Sequence, residues 1–84
     1  METFVKRMIA EHKELKERIN KLATFIDNAV NDKTIHKVEY GLLCTQISGM
    51  VQYSTSLEQR LNLYKIYIVN NKYVEQIDVN LNGK

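Results

Sequence analysis

The sequence predicts an all-α protein: an antiparallel two-helix hairpin that assembles into a helical homo-oligomer, with a short C-terminal tail. Three observations lead there. Proline is absent and glycine is confined to Gly41, Gly49 and Gly83, which leaves few helix breakers ahead of the tail. Apolar residues recur every seven positions in two separate stretches, the spacing of a heptad seam. Between those stretches lies "DNAVNDKT", rich in turn and cap residues. The expected division is a helical hairpin domain over residues 1–68 and a tail over residues 69–84.

The first helix is read from two rows. Val5, His12, Ile19 and Ile26 form one, and Met8, Leu15, Leu22 and Ala29 the other. Glu14 to Arg18 and Glu17 to Lys21 add i,i+4 pairs with the acid placed N-terminally, each contributing about 0.2–0.5 kcal/mol. The pattern stops where Asn28, Asn31, Asp32 and Thr34 supply turn and N-cap chemistry. A second helix then carries Tyr40, Ile47, Ser54, Leu61 and Ile68 on one row and Leu43, Met50, Leu57 and Tyr64 on the other. Two seams joined by a short loop make an antiparallel hairpin.

The tail reads two ways. "KIYIVNNKYVEQIDV" has β-branched and aromatic runs on either side of Asn70 and Asn71, which suits either a β-hairpin or a frayed helix end. The final "NLNGK" is expected to be disordered.

A chain of 84 residues is one domain at most, and a domain this small buries a modest fraction of its surface alone. Two helices of roughly 27–32 residues are about 40–48 Å long and cannot cover one another fully. Phe4, Ile9, Phe25, Leu42 and Val51 lie off the seams and are expected to stay partly exposed, which favours assembly of several copies.

Composition narrows the function. Cys44 is the sole cysteine, so no disulfide forms within the chain, and the residue reads as a small helix side chain. No leader and no bilayer-length apolar run is evident, so a soluble intracellular protein without a membrane role is expected. A net charge of +2 falls well short of what an electrostatic duplex-DNA binder carries. The sequence has no glycine-rich phosphate loop, HExxH, CxxC or spaced nucleophile, histidine and acid set, so no catalytic residue, metal ligand set or cofactor is assigned. His12 and His36 lie far apart in an antiparallel hairpin. His12, on a seam, reads as a satisfied interface residue.

Binding residues stand out more clearly. Gln46, Tyr53 and Arg60 recur every seven residues beside the Leu43, Met50 and Leu57 seam. If the chain turns near residue 32, facing positions sum to about 64. Tyr53 then lies near Glu11 and His12, Arg60 lies near Phe4, and Arg7 falls between them, with Lys13 and Lys16 further along. Aromatic planes, cations and short polar side chains suit a flat, phosphate-bearing ligand. Tyr53 and Arg60 also read as anchors between hairpins, and spacing alone favours that reading.

"RMIAEHKELKERINKLATFI" followed by "EYGLLCTQISGMVQYSTSLEQRL" resembles the helical-hairpin domain of phage anti-CBASS cyclic-nucleotide sponges, which also occurs attached to some Thoeris-inhibitor proteins. The resemblance runs from Phe4 to Tyr64. It implies a homo-oligomer, commonly a hexamer, that sequesters cyclic dinucleotides such as cGAMP, and in some members cyclic trinucleotides, between protomers without cleaving them. It also implies a setting in the cytoplasm of an infected bacterial host. Arg60 matches the end of the family's "MxxYxxxLxxR" run, and Arg7, His12, Lys13 and Lys16 fall where basic contacts are placed on the first helix. Tyr53 is the matching aromatic residue. Members of that family carry a short segment ahead of the hairpin whose aromatic residue helps close the pocket, whereas the first helix here is expected to start almost at Met1; the tail with Tyr67 and Tyr73 either supplies that lid or one ligand class is not bound. Two rival readings stand beside this one. One is a coiled-coil scaffold or adaptor, the other an RNA or single-stranded DNA binder using the basic face of the first helix.

Overall fold

A computed structural model describes residues 2–76. Two helices, α1 (Thr3–Asn31) and α2 (Lys37–Leu63), are followed by strands β1 (Ile66–Val69) and β2 (Lys72–Glu75). The expected disorder of "NLNGK" falls outside the described residues.

The heptad rows place the buried face of α1 correctly. Val5, Met8, His12, Leu15, Ile26 and Ala29 are buried, and Ile19 and Leu22 are half-buried. On α2 only Ser54, Leu57 and Leu61 are fully buried. The main core therefore sits at the open end of the hairpin, where Val5, Met8 and Leu15 meet Leu57, Leu61 and Ile66. Leu57 and Leu61 have no exposed surface. The anticipated exposure of Phe4, Phe25, Leu42 and Val51 is present, each at 44% or more.

The turn between the helices lies later than expected. The midpoint between Asn31 and Lys37 is residue 34, which makes facing residues sum to about 68 rather than 64. Phe4 packs edge-on against Tyr64, with ring centroids 4.9 Å apart. α1 closes on Asp32 and on Lys33 at φ 56°, with the Thr34 amide donating to the Ala29 carbonyl at 2.9 Å. The N-cap of α2 is His36, not one of the Asn, Asp or Thr residues. Its Nδ1 accepts from the Val38 amide at 3.1 Å, satisfying one orphan donor of the first turn.

The all-α expectation requires correction at the tail, where the β-hairpin reading is right and the frayed helix is not. The helical row ends before Ile68, because Lys65 at φ 63° turns the chain out of the helix. β1 pairs antiparallel with β2, with Ile66 opposite Glu75 and Ile68 opposite Tyr73. Asn70 and Asn71 have φ of 54° and 64°, the left-handed pair that a tight two-residue hairpin turn needs and that asparagine tolerates well. Ile66, 1% exposed, fixes the hairpin to the helical core. The Asn62 amide, oriented by its hydrogen bonds, donates to the carbonyls of Glu58 at 3.1 Å and Ile66 at 2.9 Å, tying α2 to β1.

Candidate functional site

His12 occupies a seam position of α1 and is 2% exposed. A buried imidazole is costly unless both ring nitrogens find partners. Here they do. Nδ1 lies 2.7 Å from the Tyr73 hydroxyl on β2, and Nε2 lies 2.8 Å from Glu58 Oε2 on α2. Ser54 Oγ stands 3.3 Å from Nε2 and donates to Glu58 Oε2 at 3.3 Å. One tautomer satisfies the group: Nε2–H donates to the carboxylate, and Nδ1 accepts from the phenol. Burial, followed by the charges of Glu58 and Glu17, pushes the Tyr73 hydroxyl above its ordinary pKa. One side chain thus joins α1, α2 and β2.

This network forms the floor of a half-open cleft of about 550 Å³ between α1 and the β-hairpin. Lys13 and Lys16 on α1 and Lys72 on β2 bring cations to its walls, Asn20 and Asn71 bring amides, and Tyr73 brings an aromatic ring. Glu17 and Glu58 also line it, but the Glu58 carboxylate is already engaged by His12 and Ser54. The volume falls within the range of roughly 300–1,000 Å³ usual for small-molecule sites.

The six residues singled out from the sequence do not converge on one cleft. At about 100° per residue, Lys13 and Lys16 fall on one side of α1's buried stripe, and Arg7 falls on the other, one turn from Glu11. On that second side the Tyr53 hydroxyl donates to Glu11 Oε2, as expected from their predicted proximity, and a smaller cleft of about 260 Å³ is lined by Glu11, Glu14, Leu15, Arg18 and Tyr53. The Glu11 bond, then burial and the Glu11 charge raise the Tyr53 pKa, while the positive charge of Arg60 opposes them. Arg60, seven residues on from Tyr53, lies on the same side of α2. Arg7, Arg60, Lys13 and Lys16 are all exposed, whereas His12 lies beneath the surface with its nitrogens occupied, the satisfied interface role that its seam position suggested.

The β-hairpin contributes Lys72, Asn71 and Tyr73 to the larger cleft, which the site residues chosen from the sequence did not include. A signal was available. The resemblance offers the tail with Tyr67 and Tyr73 as a lid, but the partner of Tyr73, His12, lies 61 residues away, and the pairing depends on how the hairpin folds back.

No helix among the described residues is long and apolar enough to cross a membrane. A family model described as Sequestin matches residues 2–63, well over half of the chain. No curated protein and no solved structure matches. The chain belongs to the Sequestin family.

Proposed function

We propose that this Sequestin family member captures cyclic oligonucleotide messengers, cyclic dinucleotides such as cGAMP in particular, and holds them without cleavage. It would thereby keep a CBASS-type defence effector unactivated in the cytoplasm of a phage-infected bacterium. The family name denotes sequestration, which supports the coarser part of this reading. The observation that carries the ligand class is the convergence of Lys13, Lys16 and Lys72 beside the Tyr73 ring in one cleft.

The chemistry of that cleft suits such a ligand. Lysines neutralise phosphates as point charges, and a tyrosine face stacks a base, a contact worth about 1–3 kcal/mol in single-stranded nucleic acid binding. The amides of Asn20 and Asn71 can both donate and accept, and the Glu17 carboxylate can accept from base N–H groups. His12 positions the wall by holding the Tyr73 hydroxyl. Arg7, Tyr53 and Arg60 stand on the opposite flank, so a ligand shared between copies would meet one flank of each. That arrangement agrees with a homo-oligomer, such as a hexamer, with capture sites between protomers.

Capture without turnover requires affinity and abundance rather than an acid–base pair. The protein is accordingly proposed to be a binder and not an enzyme, with no cofactor or metal. A coiled-coil adaptor would have the same helices but no occupant for the cationic cleft. An RNA or single-stranded DNA binder would lose affinity steeply with salt, in proportion to the phosphates it neutralises.

A thermal-shift and calorimetry panel of cyclic di- and trinucleotides, with linear dinucleotides as controls, tests the reading. A saturable thermal shift with a cyclic dinucleotide, abolished by Lys13→Glu together with Lys16→Glu, is the expected result. No response to any cyclic nucleotide at millimolar concentration would remove it.

A further inference from the structure

The hydrogen bonds beneath the larger cleft satisfy two charge states of His12 without moving a heavy atom. With a neutral ring, Nε2–H donates to Glu58 and Nδ1 accepts the phenol hydrogen of Tyr73 across 2.7 Å. With a second proton on the ring, Nδ1–H donates to the Tyr73 oxygen, and Nε2–H stays on the Glu58 carboxylate 2.8 Å away. A buried imidazolium needs an opposite charge, and Glu58, itself steadied by the Ser54 hydroxyl, supplies one. The two states differ in where the phenol hydrogen points. In the first it is committed to His12; in the second it is free to rotate to another acceptor. Tyr73 lines the cleft, so that acceptor is whatever the cleft holds. Packing alone does not call for this arrangement, because a leucine would fill the same seam position without three polar partners.

The charges around the ring decide which state prevails. On α1, Lys13, Lys16 and Glu17 line the cleft with His12; β2 adds Lys72 and Tyr73, α2 adds Glu58, and β1 contributes the uncharged Ile68. Three cations oppose a further positive charge beside them, while Glu58 and Glu17 favour it. An anion held by the lysines removes the opposition.

We infer that anion capture in this cleft is coupled to uptake of a proton by His12, which turns the Tyr73 hydroxyl from a partner of His12 into a donor to the bound anion. The proton comes from solvent and rests on the imidazole, and no bond of the ligand forms or breaks. Coupling of this kind is reciprocal: the anion favours the proton by the same factor as the proton favours the anion. Affinity therefore rises as pH falls through the range in which histidine changes charge, and weakens as pH rises through it. The inference rests on the anion-binding part of the proposed function and extends it to the regulation of the same cleft.

The test uses two probes whose own charge is constant over the range, cGAMP and inorganic sulfate. Long-range nitrogen NMR follows the ring nitrogens of His12 from about pH 5 to 8 with sodium chloride, with sodium sulfate at equal ionic strength, and with cGAMP. His36, the N-cap at the far end of α2, is the internal reference. Both probes are expected to make His12 protonate at higher pH while His36 is unmoved. Calorimetry in buffers of different ionisation enthalpy should show proton uptake on cGAMP binding, and an affinity about tenfold higher at about pH 5.5 than at about pH 8. Tyr73→Phe should flatten that dependence, losing more affinity at the acid end than at the alkaline end. Binding of cGAMP with no proton uptake and no change at His12 would overturn this inference and leave capture intact. A response of His12 to sulfate with no binding of cGAMP would support the inference and remove the cyclic nucleotide instead. A protein that binds neither probe would overturn both.

Discussion

Replacing Tyr73 with phenylalanine removes a single oxygen and isolates the bond that pins the β-hairpin to the helices. The hydroxyl lies 2.7 Å from His12 Nδ1, and His12 is 2% exposed, so the imidazole nitrogen loses its partner where water has little access. An unsatisfied buried polar group costs about 1–3 kcal/mol. A chain of this length is expected to have a total stability of roughly 4–13 kcal/mol, from about 0.05–0.15 kcal/mol per residue, so the loss is a sizeable fraction. It corresponds to a fall in melting temperature of about 4–8 °C for each kcal/mol. Urea unfolding followed by circular dichroism at fixed protein concentration measures it. The double variant with His12→Leu supplies the control for the pair: once the imidazole is gone, losing the hydroxyl should cost less, giving a coupling of about 0.5–3 kcal/mol. A Tyr73→Phe protein as stable as the wild type, or fully additive single changes, would refute the claim that this bond holds the hairpin in place.

Other consequences follow from the same geometry. Leu57→Ala, at a position with no exposed surface, should lose about 2–5 kcal/mol in the same unfolding assay. Asn71→Ala removes the short polar side chain that lets asparagine tolerate the left-handed region at φ 64° and should cost about 1–2 kcal/mol, whereas Asn71→Gly, with no β-carbon, should be close to neutral. Tyr53 is held above its ordinary pKa chiefly by its hydrogen bond to Glu11, and Tyr73 chiefly by burial. Both groups therefore keep their protons longer in the folded chain than in the unfolded one. Their stabilising contribution is present below about pH 10 and is lost as pH rises through the folded values. Absorbance titration at alkaline pH should show late-ionising tyrosines in the native protein that titrate normally in urea, and Glu11→Gln should bring Tyr53 back toward its usual range. Charge reversal at Lys16 or Lys72 should reduce cyclic dinucleotide binding while leaving the melting temperature of the unliganded protein nearly unchanged, since both side chains are exposed.

The residues of α1 were legible because a seam with two rows and no proline has one helical solution. Val5, Met8, His12, Leu15, Ile26 and Ala29 are buried as their spacing dictates. The nearness of Tyr53 to Glu11 was also legible, since it needs only antiparallel helices and an approximate turn. The later turn, with His36 as the cap, was not foreseen, and it sets Tyr64 against Phe4. The tail stayed ambiguous because a run such as "IYIV" suits a buried strand or the last turn of a helix equally well. What decides it is the left-handed Lys65 and the Asn70–Asn71 turn, a local backbone property that hydrophobic periodicity does not register. For the same reason Lys72 and Tyr73 entered the cleft unforeseen, while Lys13 and Lys16 were found from their helix position.

The central claim is capture without conversion, and one experiment addresses both halves. The protein is titrated with a cyclic dinucleotide by calorimetry, the complex is heat-denatured, and the released ligand is identified by mass and chromatography. The account predicts saturable binding and quantitative recovery of the unchanged cyclic dinucleotide. Absence of binding would contradict the capture site, and recovery of a linear or cleaved product would contradict a stoichiometric sponge.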